Sequence, residues 1–248
     1  MNIPVITGVT PTAPKLLLHG LSGAGKSTLA AKLKKPIFLD FEGGLNYINC
    51  TRTPIIKNDK VLAMVITQLC NDAIAGKKEY DTVVIDSIDW CVRRLEEIAA
   101  EIVTIGKDGK EIKDQRNLKG TLNKANGGYG NGAAHLVTLI RSDLLPRLDS
   151  LVEAGYGVCL VAHSERKTLM DADGVDTDRI APKIHDKVVE PFIEWADDVF
   201  YLKKEGESRL LYLEGTDDVL AKNRQGLTGV VDVKDIDINK LLEGKEGK

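Results

Sequence analysis

Apolar positions along this chain alternate between short solid runs and longer stretches in which they recur at helical spacing. Residues 15–19 carry Leu16, Leu17 and Leu18 in succession and are closed by Gly20. That run is too short for a helix and apolar on both faces, so it predicts a buried strand. Leu29, Ala30 and Leu33 follow at helical spacing over residues 26–35, and Pro36 ends that helix. Residues 37–40 predict a second strand, and Leu62, Val65, Ile66, Leu69 and Ala73 share one stripe of a helix over residues 59–76. A third strand is expected at Thr82–Asp86, after which Ser87 caps a helix with Ile88, Val92, Leu95, Ala99 and Ile102 on its inner face.

A polar stretch covers residues 106–131, and a long helix then places Leu136, Leu139, Ile140, Leu144, Leu148 and Leu151 inward, with Pro146 as its kink. Residues 157–163 predict another buried strand, whereas residues 164–191 are polar with little periodicity and read as a loop. Residues 199–202 and 210–213 alternate like an antiparallel hairpin turning at 205–207, residues 219–224 predict one more strand, and 243–248 a charged frayed tail. Strands alternating with helices specify a mostly parallel central sheet flanked by helices, closed by the C-terminal hairpin. A single α/β domain over residues 1–248 is expected, with its core at about 15–225 and an extension and tail at 226–248.

Composition narrows the function more than the fold. With 43% hydrophobic and 29% charged residues the chain is an ordinary globular protein, and Lys plus Arg number 34 against 37 Asp plus Glu. No global basic field exists, so nucleic-acid binding would need cations gathered locally. Cys50, Cys70, Cys91 and Cys159 form no CxxC pair, which argues against a zinc site and suits a reducing compartment. No run approaches the roughly 20 apolar residues of a membrane span, and no signal-like segment opens the chain. The expectation is a soluble cytoplasmic protein without a membrane partner.

The chemistry concentrates in Gly20-Leu21-Ser22-Gly23-Ala24-Gly25-Lys26-Ser27, a full match to G-x-x-x-x-G-K-[ST], followed by Thr28. Such a P-loop turns backbone N–H groups around phosphates at a helix N-terminus, sends Lys26 to the β and γ phosphates and gives the Ser27 hydroxyl to Mg²⁺. Residues 20–28 therefore predict ATP and Mg²⁺ as ligands. Asp86, ending an apolar strand, suits the hydration shell of the metal, although such an acid alone is as easily a helix cap. Asp40 and Glu42 stand at the carboxyl end of the second strand, where ligands sit in open α/β sheets. A carboxylate there can take a proton from water, and an exposed loop acid explains Glu42 equally well.

A P-loop, a strand ending in Asp-x-Glu and a strand ending in Asp86-Ser87, in this order, resemble the RecA-like P-loop ATPase core, and among its members the phage Sak-type single-strand annealing proteins and their AAA-like relatives. The resemblance implies that Glu42 is the catalytic base and that His163, where RecA carries Gln, senses the γ phosphate. It also matches Lys222-Asn223-Arg224 to a Lys-Asn-Lys element whose cations reach the ATP of a neighbouring subunit, which implies a homo-oligomer with ATP at its interfaces. Two loops of the family meet single-stranded DNA. Residues 106–131, with six basic residues against three acids, and residues 164–191 are their counterparts, making Lys113, Arg116, Lys119, Lys124, Tyr129, Arg166 and Lys167 the candidate contacts. What the resemblance implies is an ATP-hydrolysing recombination protein that assembles on single-stranded DNA and promotes annealing, with single-stranded DNA-binding protein as a further partner. A small-molecule phosphotransferase and a non-enzymatic ATP switch remain the alternatives.

Overall fold

The computed structural model describes residues 7–8, 12–100, 104–105, 111–112, 122–123, 125, 129–170 and 176–243. Strand β1 (Lys15–Gly20) leads through the glycine-rich loop into α1 (Lys26–Ala30), and the chain re-enters the sheet as β2 (Pro36–Asp40) and the short β3 (Thr51–Arg52). Helix α2 (Asp59–Ile74), β4 (Thr82–Asp86) and α3 (Ile88–Ala100) follow. Two-residue strands β5 (Thr104–Ile105) and β6 (Glu111–Ile112) pair with each other, apart from the main sheet. Next come α4 (Asn131–Leu139), α5 (Leu145–Glu153), β7 (Gly157–Met170), β8 (Asp176–Pro182) and α6 (Asp186–Trp195). Strands β9 (Asp198–Glu205), β10 (Ser208–Tyr212) and β11 (Val230–Asp232) and helix α7 (Ile238–Glu243) complete the chain.

The sheet order is β11-β10-β9-β1-β7-β4-β2-β3, parallel from β9 to β3 and antiparallel over β9-β10-β11. This is the mixed, mostly parallel α/β architecture that the hydrophobic runs predict. Alternate residues of each strand point to opposite faces, so Leu17, Val83, Ile85 and Leu160 pack under α2 to α6, while Leu16, Leu18, Val84 and Val161 pack under α1 and α7. Burial on both faces is why these strands are solid apolar runs. Among the described residues, no helix is long and apolar enough to cross a membrane.

Several local expectations need correction. Helix α1 stops at Ala30 because the N–H groups of Lys32 and Leu33 reach back to carbonyls only three residues away, and Lys35 then turns with φ 37° into Pro36. The expected kink takes the form of one wide π turn, Ile140–Leu144, between α4 and α5. It sits directly before Pro146, whose missing N–H breaks the helical ladder. Residues 164–191 are not a loop. Strand β7 continues seven residues past His163 and pairs in antiparallel register with β8, from Ser164 opposite Pro182 to Met170 opposite Asp176, and α6 follows. The strand expected at 219–224 is reduced to single pairings of Val219 with Ile180 and Lys222 with Val199. The extension beyond 225 adds β11 to the sheet edge and sets Val233 and Ile238 into the core under α1.

Candidate functional site

Register places the chemistry at one end of the sheet. Gly20 lies opposite His163, while Val161, two residues before it, lies opposite Asp86, which in turn lies opposite Asp40. Strand β7, inserted between β1 and β4, therefore carries His163 to the carboxyl end between the P-loop and Asp86. Gly20 is required where it stands, since a Cβ there would come within 2.4 Å of the Leu202 carbonyl oxygen. Gly25, at φ 98°, holds a left-handed turn before the first residue of α1, a conformation that glycine adopts without strain. Ala24 is buried, and its N–H donates to the Leu21 carbonyl at 3.2 Å, closing the loop on itself. Ser22, Gly23 and Thr28 lie along the same loop and first helical turn, with Ser22 and Thr28 exposed.

Lys26 is buried, and its Nζ donates to the carbonyls of Gly20 at 3.0 Å and Leu21 at 3.1 Å. Burial holds its ammonium below the ordinary lysine range, against the attraction of Asp86, Asp89 and Glu42. Asp86 is buried too, with Oδ2 lacking any hydrogen-bond partner. Burial pushes its carboxyl up to about 6, a hydrogen bond with the Ser27 hydroxyl opposes this, and the charge of Glu42 adds to it. An orphaned carboxylate oxygen beside a serine hydroxyl is a hard oxygen pair that fits Mg²⁺, which takes one or two protein ligands and fills its shell with water and phosphate oxygens. Among the described residues no group of three or more His, Cys, Asp or Glu forms a closed metal cage, in keeping with that kind of open site.

The two acids after β2 have separated roles. Asp40 is buried, and its Oδ1 accepts from the backbone N–H groups of Glu42 at 3.1 Å and Gly43 at 2.6 Å. It fixes the turn and leaves Glu42 at its apex, with Oε1 3.9 Å from His163 Nε2. His163 in turn donates its backbone N–H and its Nδ1–H to the two oxygens of Asp89, at 3.1 and 3.0 Å. The bond to Asp89 raises the imidazole above its usual range, against burial. Sequence reasoning missed Asp89, which is buried in the first turn of α3. It also missed Arg209, whose side chain lies beside Gly25.

A second buried histidine braces the base of the loop. His19 Nε2–H donates to the Leu220 carbonyl at 2.7 Å, so Nδ1 accepts from the Ser164 hydroxyl at 2.9 Å, and burial lowers its pKa to about 4. One neutral ring thus ties the residue before the P-loop to the residue after His163 and to the segment leading into Lys222.

The remaining candidates fall elsewhere. Arg224 pairs with Asp197 at 3.2 Å, and the Asp197 N–H bonds the Lys15 carbonyl, so this cation belongs to the opening end of β1. That is about 17 Å of strand away from Gly20, and Arg224 does not reach the P-loop of its own chain. Lys222 is half-buried near it, and Asn223 latches the segment by donating to the carbonyls of Leu213 and Leu227. Arg166 on the β7–β8 ribbon and Tyr129 before α4 are exposed. Lys167 is not available as a DNA contact: it is buried, and its ammonium donates to the Ile184 carbonyl and to Asp186. Lys113, Arg116, Lys119 and Lys124 lie outside the described residues.

Comparison with known proteins places this arrangement. A family described as an AAA domain matches residues 12–225. The chain is also 26% identical over 191 residues to the SPbeta prophage-derived uncharacterized protein YorG of Bacillus subtilis (strain 168), covering 77% of this chain and 51% of that protein. The chain thus spans about half the length of the curated relative it matches.

Proposed function

The chain belongs to this AAA domain family, and on that premise we propose that it hydrolyses ATP and uses the cycle to assemble on single-stranded DNA and promote strand annealing. The observation that carries the hydrolytic part is Glu42, lifted by the Asp40-locked turn to the rim of the P-loop and close enough to act on the Lys26 charge. Lys26 exchanges its two carbonyl contacts for the β and γ phosphates, backbone N–H groups of residues 22–27 hold the phosphate oxygens, and Glu42 accepts the proton of a water attacking the γ phosphorus. Bound Mg²⁺, held through Ser27 and the Asp86 side, neutralises charge on the β and γ oxygens.

The assembly and DNA parts rest on thinner support. Lys222 and Arg224 sit at the opposite end of the sheet from their own P-loop, a placement suited to serving a neighbour's nucleotide. The ribbon beyond His163 carries the exposed Arg166, and residues 106–131 hold six basic residues against three acids. A prophage-derived relative fits a recombination role without specifying it.

The test is ATP turnover at several protein concentrations with and without single-stranded DNA, together with annealing of complementary oligonucleotides. Stimulation by DNA and specific activity that rises with concentration are expected. Turnover indifferent to both would favour a phosphotransferase, and ATP binding with almost no turnover would favour a switch.

A further inference from the structure

Asp89 has no place in the ATP chemistry described so far, yet it is buried at the carboxyl end of the sheet with both oxygens committed to one residue, His163. A carboxylate in a first helical turn ordinarily caps the helix's own N–H groups. Here it reaches across to β7 instead. The backbone bond fixes where the strand ends, and the ring bond fixes which way the imidazole faces. With Nδ1–H bound to Asp89, only Nε2 can turn to the site, and it faces Glu42 at 3.9 Å.

We propose that Asp89 is a positioning residue that holds His163 with Nε2–H aimed between Glu42 and the terminal phosphate, so that the ring hands Glu42 over to the attacking water once a triphosphate is bound. In the absence of nucleotide the imidazole lies beside the Glu42 carboxylate. A γ phosphate, carrying more charge, takes the Nε2–H for itself and leaves Glu42 free to accept a proton from water. The charged groups facing the ring are Asp89 from α3, Glu42 from the turn after β2 and Lys26 from α1, and among them Asp89 raises and Lys26 lowers its proton affinity. This role deepens the hydrolase reading and rests on it.

Asp89→Asn keeps the size of the side chain but not its charge, and its amide N–H pushes the ring proton from Nδ1 to Nε2. Expected are a fall in kcat of about 10- to 100-fold, the usual worth of a group that orients a working imidazole, with the KM for ATP nearly unchanged. The His163 ring nitrogens, read by nitrogen NMR, should titrate at lower pH in Asp89→Asn than in the parent, and addition of a non-hydrolysable ATP analogue should shift Nε2 in the parent alone. Combined with His163→Ala, Asp89→Asn should add no further loss, since it acts through that ring. An unchanged kcat, an unchanged titration, or an equal further loss in the His163→Ala background overturns the proposal. A thermal melt of each variant keeps misfolding from passing as lost catalysis. If the parent binds ATP without hydrolysing it, the hydrolase reading alone falls, because the Nε2 response to the analogue still decides whether Asp89 aims the ring.

Discussion

Two lysines of this protein are buried to almost the same degree, Lys26 under the P-loop at 6% exposure and Lys167 under the β7–β8 ribbon at 8%. Their partners differ in kind. Lys26 donates only to neutral carbonyls, with carboxylates nearby but not in contact. Lys167 donates to the Ile184 carbonyl and to Asp186, and lies 3.3 Å from Glu165. A buried ammonium satisfied by carbonyls alone still lacks an anion, which makes it a receptor for phosphate. One already facing two carboxylates is a brace. The same residue type at the same burial is thus functional in one region and structural in the other, and the identity of the acceptors decides which.

Replacement of each lysine tests that contrast. Lys26→Ala should show the largest effect, no measurable nucleotide binding by calorimetry, while its thermal melt stays close to the parent because only two carbonyl contacts are lost. Glu42→Gln should come next. Binding should persist, and turnover should slow by about 10²-fold or more, the usual range for a positioned base. An unchanged rate would move the base to another acid, and Asp40 is poorly placed for it because it caps the turn. Lys167→Met should have the smallest effect, leaving ATP affinity intact while lowering stability by about 1–3 kcal/mol through the unpaired carbonyl and acids it leaves behind. Urea unfolding and hydrogen exchange at β7 and β8 would read it. If Lys167→Met instead weakened DNA binding with no loss of stability, the contrast between the two lysines would collapse.

What the sequence reveals follows the range of the interactions. Strands β1, β2 and β4 are legible because burial on both faces writes them as solid apolar runs, and the P-loop is legible because its bonds lie within eight consecutive residues. The ribbon is not, since its two strands pair through backbone groups and bury little side-chain surface beyond the sheet, so residues 164–182 carry no apolar pattern. Helix α6 hides behind Pro191 in its interior, although Val188, Val189, Phe192 and Trp195 mark one buried face. Asp89 and His163 stand 74 positions apart, and no local spacing joins them. Lys167 looks like a free cation in sequence because the carbonyl and the carboxylate that claim it arrive only after the chain has turned back through β8.

Strand β7 is 14 residues long, and only its first half is held on both sides, by β1 and β4. The second half leaves that clamp just after His163 and projects by about 23 Å at the usual rise per residue, stiffened by β8 alone. In mechanical terms it is a cantilever whose root is the residue facing the terminal phosphate. A tilt of about 5° at the root displaces the tip by about 2 Å over that length. His19, gripping Ser164 at the same root, sets the pivot. A sub-ångström adjustment around a cleaved phosphate is thereby amplified with distance, and whatever touches the far end of the ribbon meets a lever whose fulcrum lies in the nucleotide site.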